Sequence, residues 1–593
     1  MRIIFFVFFF TSSLFSQIND SRNINNLFKQ GEYKKVVNIC EKLVNYSNIQ
    51  SYYNLYFNSL LNISDYDRAT KVNQQVISKF RNNLTYKVDE YFLNVRRESL
   101  HTNSILKDIQ SKLLRNSSQI ISVSNRFVLY QLFEEALSCY IFLEKNDPNL
   151  PDYSIQIANL YESLGNDQEM INRYLLSIKK EPSKRSMVIY YLQRYLDNNG
   201  IKNEDNFNYV RQGLLEYANV EKEGYFFSDM LVWFFILDKE YELAFTQSKA
   251  IDLRNGLDGE KIYELGETLL DKKEYSVALK CFNYLISKGI NNYYYIEANI
   301  NRLYSIENLE NFNIHNLKVQ YEEAIRLLGK NKFTATLLIN YARFLTFKYQ
   351  NVELSKNFLE EVMSIPRLSL TDLSELQLLY GDVMLLSGNV WTSLLYYSKV
   401  ENIFSDHPLG HEAKLKKAKV SYYQGDFIWA QNQLDILKSS TSKLISNDAM
   451  SLSLLITDNL NLDTTENTMK MFARADLALF QNKYIKSNLI LDSILIMYPE
   501  HDLVDEILFK KHEIYKELGE IESAILMLNK IIENYSFDIL YDDALYSLAK
   551  IYDFVLNDIE MSLKYYQMIL FNCSGSIFIV DSRNRYRILQ DQF

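Results

Sequence analysis

The stretch FEEALSCYIFLEKNDPNLPDYSIQIANLYESLGNDQEMINRYLLSIKKEP, Phe133 to Pro182, decides the fold. Within it Ala136, Tyr140 and Pro148 have counterparts 34 residues later in Met170, Tyr174 and Pro182. The same offset separates Tyr241 and Ala244 (KEYELAF) from Tyr275 and Ala278 (KEYSVAL). Apolar residues fall at i, i+3, i+4 and i+7, the stripe of an amphipathic helix. A period this short leaves room for two such helices and a turn. Neither can bury its stripe alone, so the reading is a stacked array of helix pairs.

Composition supports one continuous array. The chain has 593 residues, 47% of them hydrophobic, with only 16 Gly and 6 Pro, too few for long linkers. Its net charge is −10, and the acidic balance is spread along the chain. A nucleic-acid groove needs a clustered basic stripe, so no nucleic-acid partner is expected. Met1 and Arg2, the apolar run Ile3 to Phe10 and the small-residue stretch Thr11 to Ser16 read as a secretory signal peptide, residues 1–16. The apolar run is too short to cross a bilayer, and no Cys follows it to serve as a lipid anchor. No membrane span is expected after cleavage. Cys40, Cys139, Cys281 and Cys573 form no CxxC pair and read as buried thiols.

A 34-residue helix–turn–helix period resembles the tetratricopeptide repeat (TPR), which implies an all-α superhelical solenoid. In that family small residues stand near repeat positions 8 and 20, with large ones at 4, 7, 11, 17, 24 and 27. Residues 151–184 match with Ala158, Tyr161, Gly165, Tyr174 and Pro182, and 259–292 with Leu265, Gly266, Tyr275, Ala278 and Phe282. The expected order is degenerate units over 17–116, a pair at 117–184, a degenerate helical pair at 185–224 and a pair at 225–292. Degenerate units at 293–370 and a pair at 371–444 follow. A Ser-rich and polar interruption makes 445–467 a hinge segment, and 468–593 holds C-terminal units with a capping helix.

YDDALYSLAKIYD, Tyr541 to Asp553, and the segment from Met561 to Leu589 resemble periplasmic TPR proteins of the BamD and CpoB type. They resemble more closely the long exported repeat proteins of Bacteroidota-type bacteria. Cys573-Ser574-Gly575-Ser576 takes the position of that family's Pro-Gly-Ser-like turn, with Ser574 where the family tends to have Pro. Arg583, Arg585 and Arg587 follow on the terminal helix as a candidate docking helix or a solvated cap. The resemblance implies a periplasmic or outer-membrane-associated scaffold that gathers envelope proteins.

No HExxH, GxSxG, GxxxxGKS/T or GxGxxG motif occurs, and no nucleophile with its base is apparent, so no enzyme activity, cofactor or metal is expected. His407 and His411 are four apart, but Pro408 and Gly410 are expected to break the helix between them. The acid pairs Glu134-Glu135, Glu322-Glu323 and Asp542-Asp543 read as solvated faces. Asp463-Thr464-Thr465 resembles a short O-glycosylation site of Bacteroidota-type bacteria. Asn125 and Asn159 occupy a position used by the carboxylate clamp of chaperone-binding TPR domains. The Lys that this clamp also needs is replaced by Ile121 and Ile155, which rules it out. A groove of Phe226, Trp233, Ile236 and Leu237, continued by Tyr263 and Leu270, suits an amphipathic helix or extended peptide.

Two functions follow. One is an exported scaffold or adaptor for protein–protein contacts in the cell envelope, in outer-membrane assembly or secretion. The alternative is a helical glycan- or nutrient-binding protein that partners an outer-membrane transporter. The missing lipid-anchor Cys and the scarcity of long insertions favour the first.

Overall fold

The computed structural model describes residues 23–43, 48–197, 202–221, 225–309, 312–440, 442–460 and 466–590. The expected signal peptide, 1–16, and the motif Asp463-Thr464-Thr465 lie outside the described residues. Within them the regular structure is helical throughout, with no strand, and successive helices pack as antiparallel pairs of the TPR type.

One repeat shows why the sequence folds this way. Ser154–Ser163 buries Ile157, Ala158 and Leu160 at helical spacing. It stops at Gly165, whose φ of 70° is left-handed, and Asn166 N–H donates back to the Tyr161 carbonyl at 3.0 Å. Asn166 then caps the next helix, its side chain accepting from Glu169 N–H at 3.2 Å. That helix, Asp167–Lys180, has acids in its first turn and lysines in its last, matching the helix dipole. It buries Met170, Ile171, Tyr174, Leu175 and Ile178, and it ends before Pro182, which opens a 3-10 turn.

The left-handed residue recurs two positions before the second helix of a pair in other repeats. It is often not glycine: Ser64, Lys239, Lys273 and Asn482 take φ between 55° and 62°. Two turns are closed differently. Helices Ala335–Arg343 and Tyr541–Lys550 each run into a π-turn, Phe344–Lys348 and Ile551–Val555, which absorbs extra residues before the partner helix. The first of these π-turns falls within 293–370, the stretch read as degenerate units.

The small residues allow close helix approach. Ala136, Ala158, Ala244 and Ala278 are fully buried. A Cβ on Gly266 would stand 2.8 Å from the Phe282 ring, so only glycine lets that helix settle there.

The chain divides into two compact units, at Leu265 and Gly266. In the first, apolar clusters run from Ile24 to Leu93 and from Leu84 to Leu160. In the second they run from Leu303 to Met384, Leu415 to Ile514 and Val504 to Leu589. The segment read as a hinge, 445–467, holds most of helix Lys443–Leu460. Ala449 and Ile456 of that helix belong to the same cluster as Leu415 and Ile514, so the core continues through the helix. Among the described residues this helix packs chiefly on Phe427–Leu437, which is itself paired with Pro408–Gln424. The following helix, Asn467–Phe480, returns to pack on Pro408–Gln424. The last helix, Ile579–Gln590, covers the array's end with Leu589 buried.

Cys40, Cys139 and Cys281 are buried and Cys573 is half-buried. Burial pushes the Cys40 thiol up to about 11 and that of Cys139 up to about 12.

Candidate functional site

In the first unit, helix Phe226–Leu237 is apolar nearly all round. Phe227, Met230, Leu231, Phe234 and Phe235 are buried, while Phe226, Trp233 and Ile236 stay half-buried and Leu237 is exposed. The spacing of Phe226, Trp233 and Leu237 places them on one stripe. The Arg185 guanidinium stands 5.1 Å from the Phe226 ring and pairs with Asp229 one turn on at 2.5 Å. Leu237 lines a cavity of about 560 Å³ with Tyr190, Arg194 and Phe207, side chains that the sequence reading did not single out. Tyr263 is half-buried at the end of this unit, and Leu270 is half-buried in the second.

In the second unit a cavity of about 490 Å³ has walls of Leu385, Leu409, Leu444, Ile445 and Phe480. A polar group closes one side. The Tyr397 hydroxyl donates to Asp382 at 2.6 Å, and Lys416 Nζ donates to both Asp382 oxygens at 2.9 and 3.0 Å. Gly381 makes room for this, since a Cβ there would lie 2.4 Å from the Tyr397 ring. Burial first, then the Asp382 charge, pushes the Tyr397 hydroxyl far above its usual range, so it stays a donor. Burial pulls Lys416 down, but Asp382 and Glu412 outweigh it and keep the ammonium charged.

The same construction appears at two other positions. Asp89 is fully buried and accepts from Tyr53 at 2.7 Å, Tyr130 at 2.5 Å and Arg126 at 2.6 and 3.0 Å. Asp553 accepts from Tyr566 at 3.1 Å and from Arg585 at 2.6 and 2.7 Å. Arg585 is thus committed to the fold, while Arg583 and Arg587 on the same helix are exposed. Opposite charges one period apart mark such pairs in sequence: Asp382 with Lys416, and Asp476 with Lys510 at 3.4 Å.

Several expected solvated groups are engaged. Glu135 accepts from the Tyr91 hydroxyl at 2.9 Å, and Glu322 accepts from Tyr341 at 3.0 Å and Lys318 at 2.6 Å. Asp543 is half-buried, and burial with the Asp542 charge pushes it up to about 6. The His407/His411 expectation is corrected: Pro408 does not break a helix but starts one, Pro408–Gln424, at the first-turn position where its missing N–H costs nothing. His407 caps that helix by accepting from Leu409 N–H at 3.2 Å, and His411 contacts Ser440 at 2.9 Å. Among the described residues no group of three or more His, Cys, Asp or Glu is placed to hold a metal ion. No helix among them is long and apolar enough to cross a membrane.

No family model matches the chain, and no curated protein matches it. Solved structures similar to it include a tetratricopeptide repeat protein from Parabacteroides merdae, at 14% identity and a TM-score of 0.27. That match covers 46% of this chain and 91% of the other. A chain of Naa15/Naa10 bound to HypK-THB is similar at 12% identity and a TM-score of 0.25, over 92% of this chain and 96% of its own. A chain of the APC/C hetero-tetramer Cut9–Hcn1 is similar at 12% identity and a TM-score of 0.23, again over 92% and 96%.

Proposed function

We propose that this chain is an exported, non-enzymatic scaffold that binds protein partners in the bacterial cell envelope, in outer-membrane assembly or secretion. The compartment follows from the leader-like residues 1–16 and from the C-terminal resemblance to periplasmic proteins of the BamD and CpoB type and to long exported repeat proteins of Bacteroidota-type bacteria. Protein binding is carried by the cavity beside Asp382. Its walls are apolar while Glu412, Lys416, Lys419 and Asp448 edge it, the composition that seats an apolar anchor side chain within a polar rim. Partners bring it to the outer membrane.

The test is retrieval of tagged mature protein from solubilised envelopes, with the wild-type chain set against Leu444→Glu. Leu444 is 74% exposed, so the substitution spares the core while placing a charge at the cavity wall. A specific protein partner lost from the variant supports the scaffold. Recovery of no protein, together with saturable glycan binding, would replace it with the nutrient-binding reading.

A further inference from the structure

A second cavity in the second unit, of about 600 Å³, has a different chemistry. Helix Lys443–Leu460 contributes Asp458 and Asn459 from its last turn, and the loop before Val504–Glu517 contributes Glu500, His501 and Asp502. The first turn of Val504–Glu517 adds Asp505 and Glu506. Asp538, Tyr535 and the first-turn Asp543 of Tyr541–Lys550 close the far side. Seven carboxyl groups face this space and no Lys or Arg lines it. None of the seven is in an ion pair among the described residues.

Acids in the first turn of a helix are ordinary, and by themselves they mean only that the helix dipole is complemented. The floor of the cavity is not ordinary. Asn459 is 1% exposed, its Nδ2 donates to Glu506 Oε1 at 3.2 Å, and its Oδ1 is buried with no donor. Glu506 Oε2 is likewise buried with no hydrogen-bond partner. Two buried polar atoms without partners are a cost that a native fold seldom leaves standing. Burial and the adjoining Asp505 carboxyl push Glu506 up to about 9, so it holds a proton at neutral pH. A cation that carries N–H donors would displace that proton and give both oxygens partners.

The kind of cation follows from the walls. A metal ion needs convergent oxygens, which the described residues do not arrange here. The space is far larger than one ion, and Leu454, Leu455 and Leu540 give it an apolar lining suited to methylene groups. A guanidinium carries five N–H donors in a planar fork that matches carboxylates two at a time. We propose that this cavity receives an arginine side chain presented by a protein partner, an inference that rests on the scaffold reading above. Asp505, Glu506 and Asn459 bind the guanidinium, and Asp538 and Asp543 set its approach.

The probe is a fluorescein-labelled peptide with two arginines between glycines, titrated into the full chain and followed by anisotropy at physiological salt. Its twin carries citrulline, which has the same shape without the charge. The arginine peptide should bind saturably and the citrulline peptide at least tenfold more weakly. Asp505→Asn with Glu506→Gln should weaken arginine-peptide binding at least tenfold, while Asp152→Asn in the first unit should leave it unchanged. Binding should tighten as pH rises from about 6 to about 9, as Asp543 and Glu506 ionise. Equal binding of the two peptides, or binding indifferent to the double variant, overturns the proposal. The scaffold reading stands apart from it: a partner retrieved equally by the double variant overturns the arginine site alone. Arginine-peptide binding lost in that variant, with no protein ever retrieved, upholds the cavity and removes the scaffold.

Discussion

Asp89 in the first unit and Glu506 in the second are both carboxyl groups taken largely out of water, yet their surroundings are opposite. Asp89 meets four donor atoms from Arg126, Tyr53 and Tyr130. Burial pushes its pKa upward, with Arg126 and the two hydroxyls opposing. Glu506 meets one amide and another carboxyl, and one of its oxygens has no donor at all. Burial is therefore not what separates a structural acid from a binding acid. The count of donors already supplied by the chain is.

That distinction gives opposite expectations for substitution. Asp89→Ala removes the partner of an Arg126 that is itself only 13% exposed, and it strands two tyrosine hydroxyls. Breaking such a pair from one side costs about 3–5 kcal/mol, so urea unfolding of the first unit should move to clearly lower denaturant. A loss under about 1 kcal/mol would show that the network is satisfied by water instead. Asp553 is the intermediate case, with one arginine and one tyrosine. Arg585→Ala leaves its buried carboxylate with a single donor and should cost about 1–3 kcal/mol. Arg583→Ala, on the same helix but exposed, should stay within about 0.5 kcal/mol. Equal effects of the two arginine changes would mean that Asp553 does not hold the terminal helix.

Glu506→Gln should instead stabilise the chain at pH 8, by about 1 kcal/mol or more. Its folded pKa lies above its unfolded value, so the folded state holds a proton that the unfolded state has lost. Between about pH 4.5 and 9 this group's contribution falls as pH rises, and glutamine abolishes the slope. Thermal midpoints of wild type and variant measured across that range check the sign. Parallel curves would show that Glu506 is ionised and paired, which would also undercut the arginine site.

The fold was legible because its signal is periodic. Tyr140, Tyr174 and the small residues at Ala136, Ala158 and Gly266 each answer to the same packing constraint, repeated until the pattern stands clear of noise. Turns were partly hidden, since Lys273 and Asn482 adopt the left-handed conformation that glycine would advertise. The loss of pattern at 445–467 was visible, but not its meaning. Buried Ser446, Ser453 and Asn459 make helix Lys443–Leu460 look polar, although it packs in the core and walls the cavity beside Asp382 and the acidic one. The common stripe of Phe226, Trp233 and Leu237 could be read from their helical spacing. The acidic cavity could not. Asp458 and Asp543 are 85 residues apart, and helix Lys443–Leu460 brings Asp458 to the space that Asp543 lines.

Asp152 supplies the mildest form of the contrast. It sits in the first unit with Ser154 Oγ at 2.5 Å, Lys184 Nζ at 2.9 Å and Lys180 Nζ at 3.0 Å. Burial pushes it up, but Ser154, Lys184 and Lys180 outweigh that and hold it at about 2. Its folded pKa lies below its unfolded value near 3.9, so its contribution is complete at neutral pH and fades as pH falls from about 4 to about 2. The lysine heads are partly in water, which screens the pair, so Asp152→Asn should cost only about 1 kcal/mol at pH 7. The difference between wild type and Asp152→Asn should shrink towards zero at pH 2, in the reverse sense to Glu506→Gln, whose difference grows with rising pH. Two buried-side carboxyls with slopes of opposite sign in one chain would be the direct thermodynamic expression of one acid supplied with donors and one awaiting them. A difference at Asp152 that persists unchanged at pH 2 would assign its role to hydrogen bonding with Ser154 and remove charge from the account.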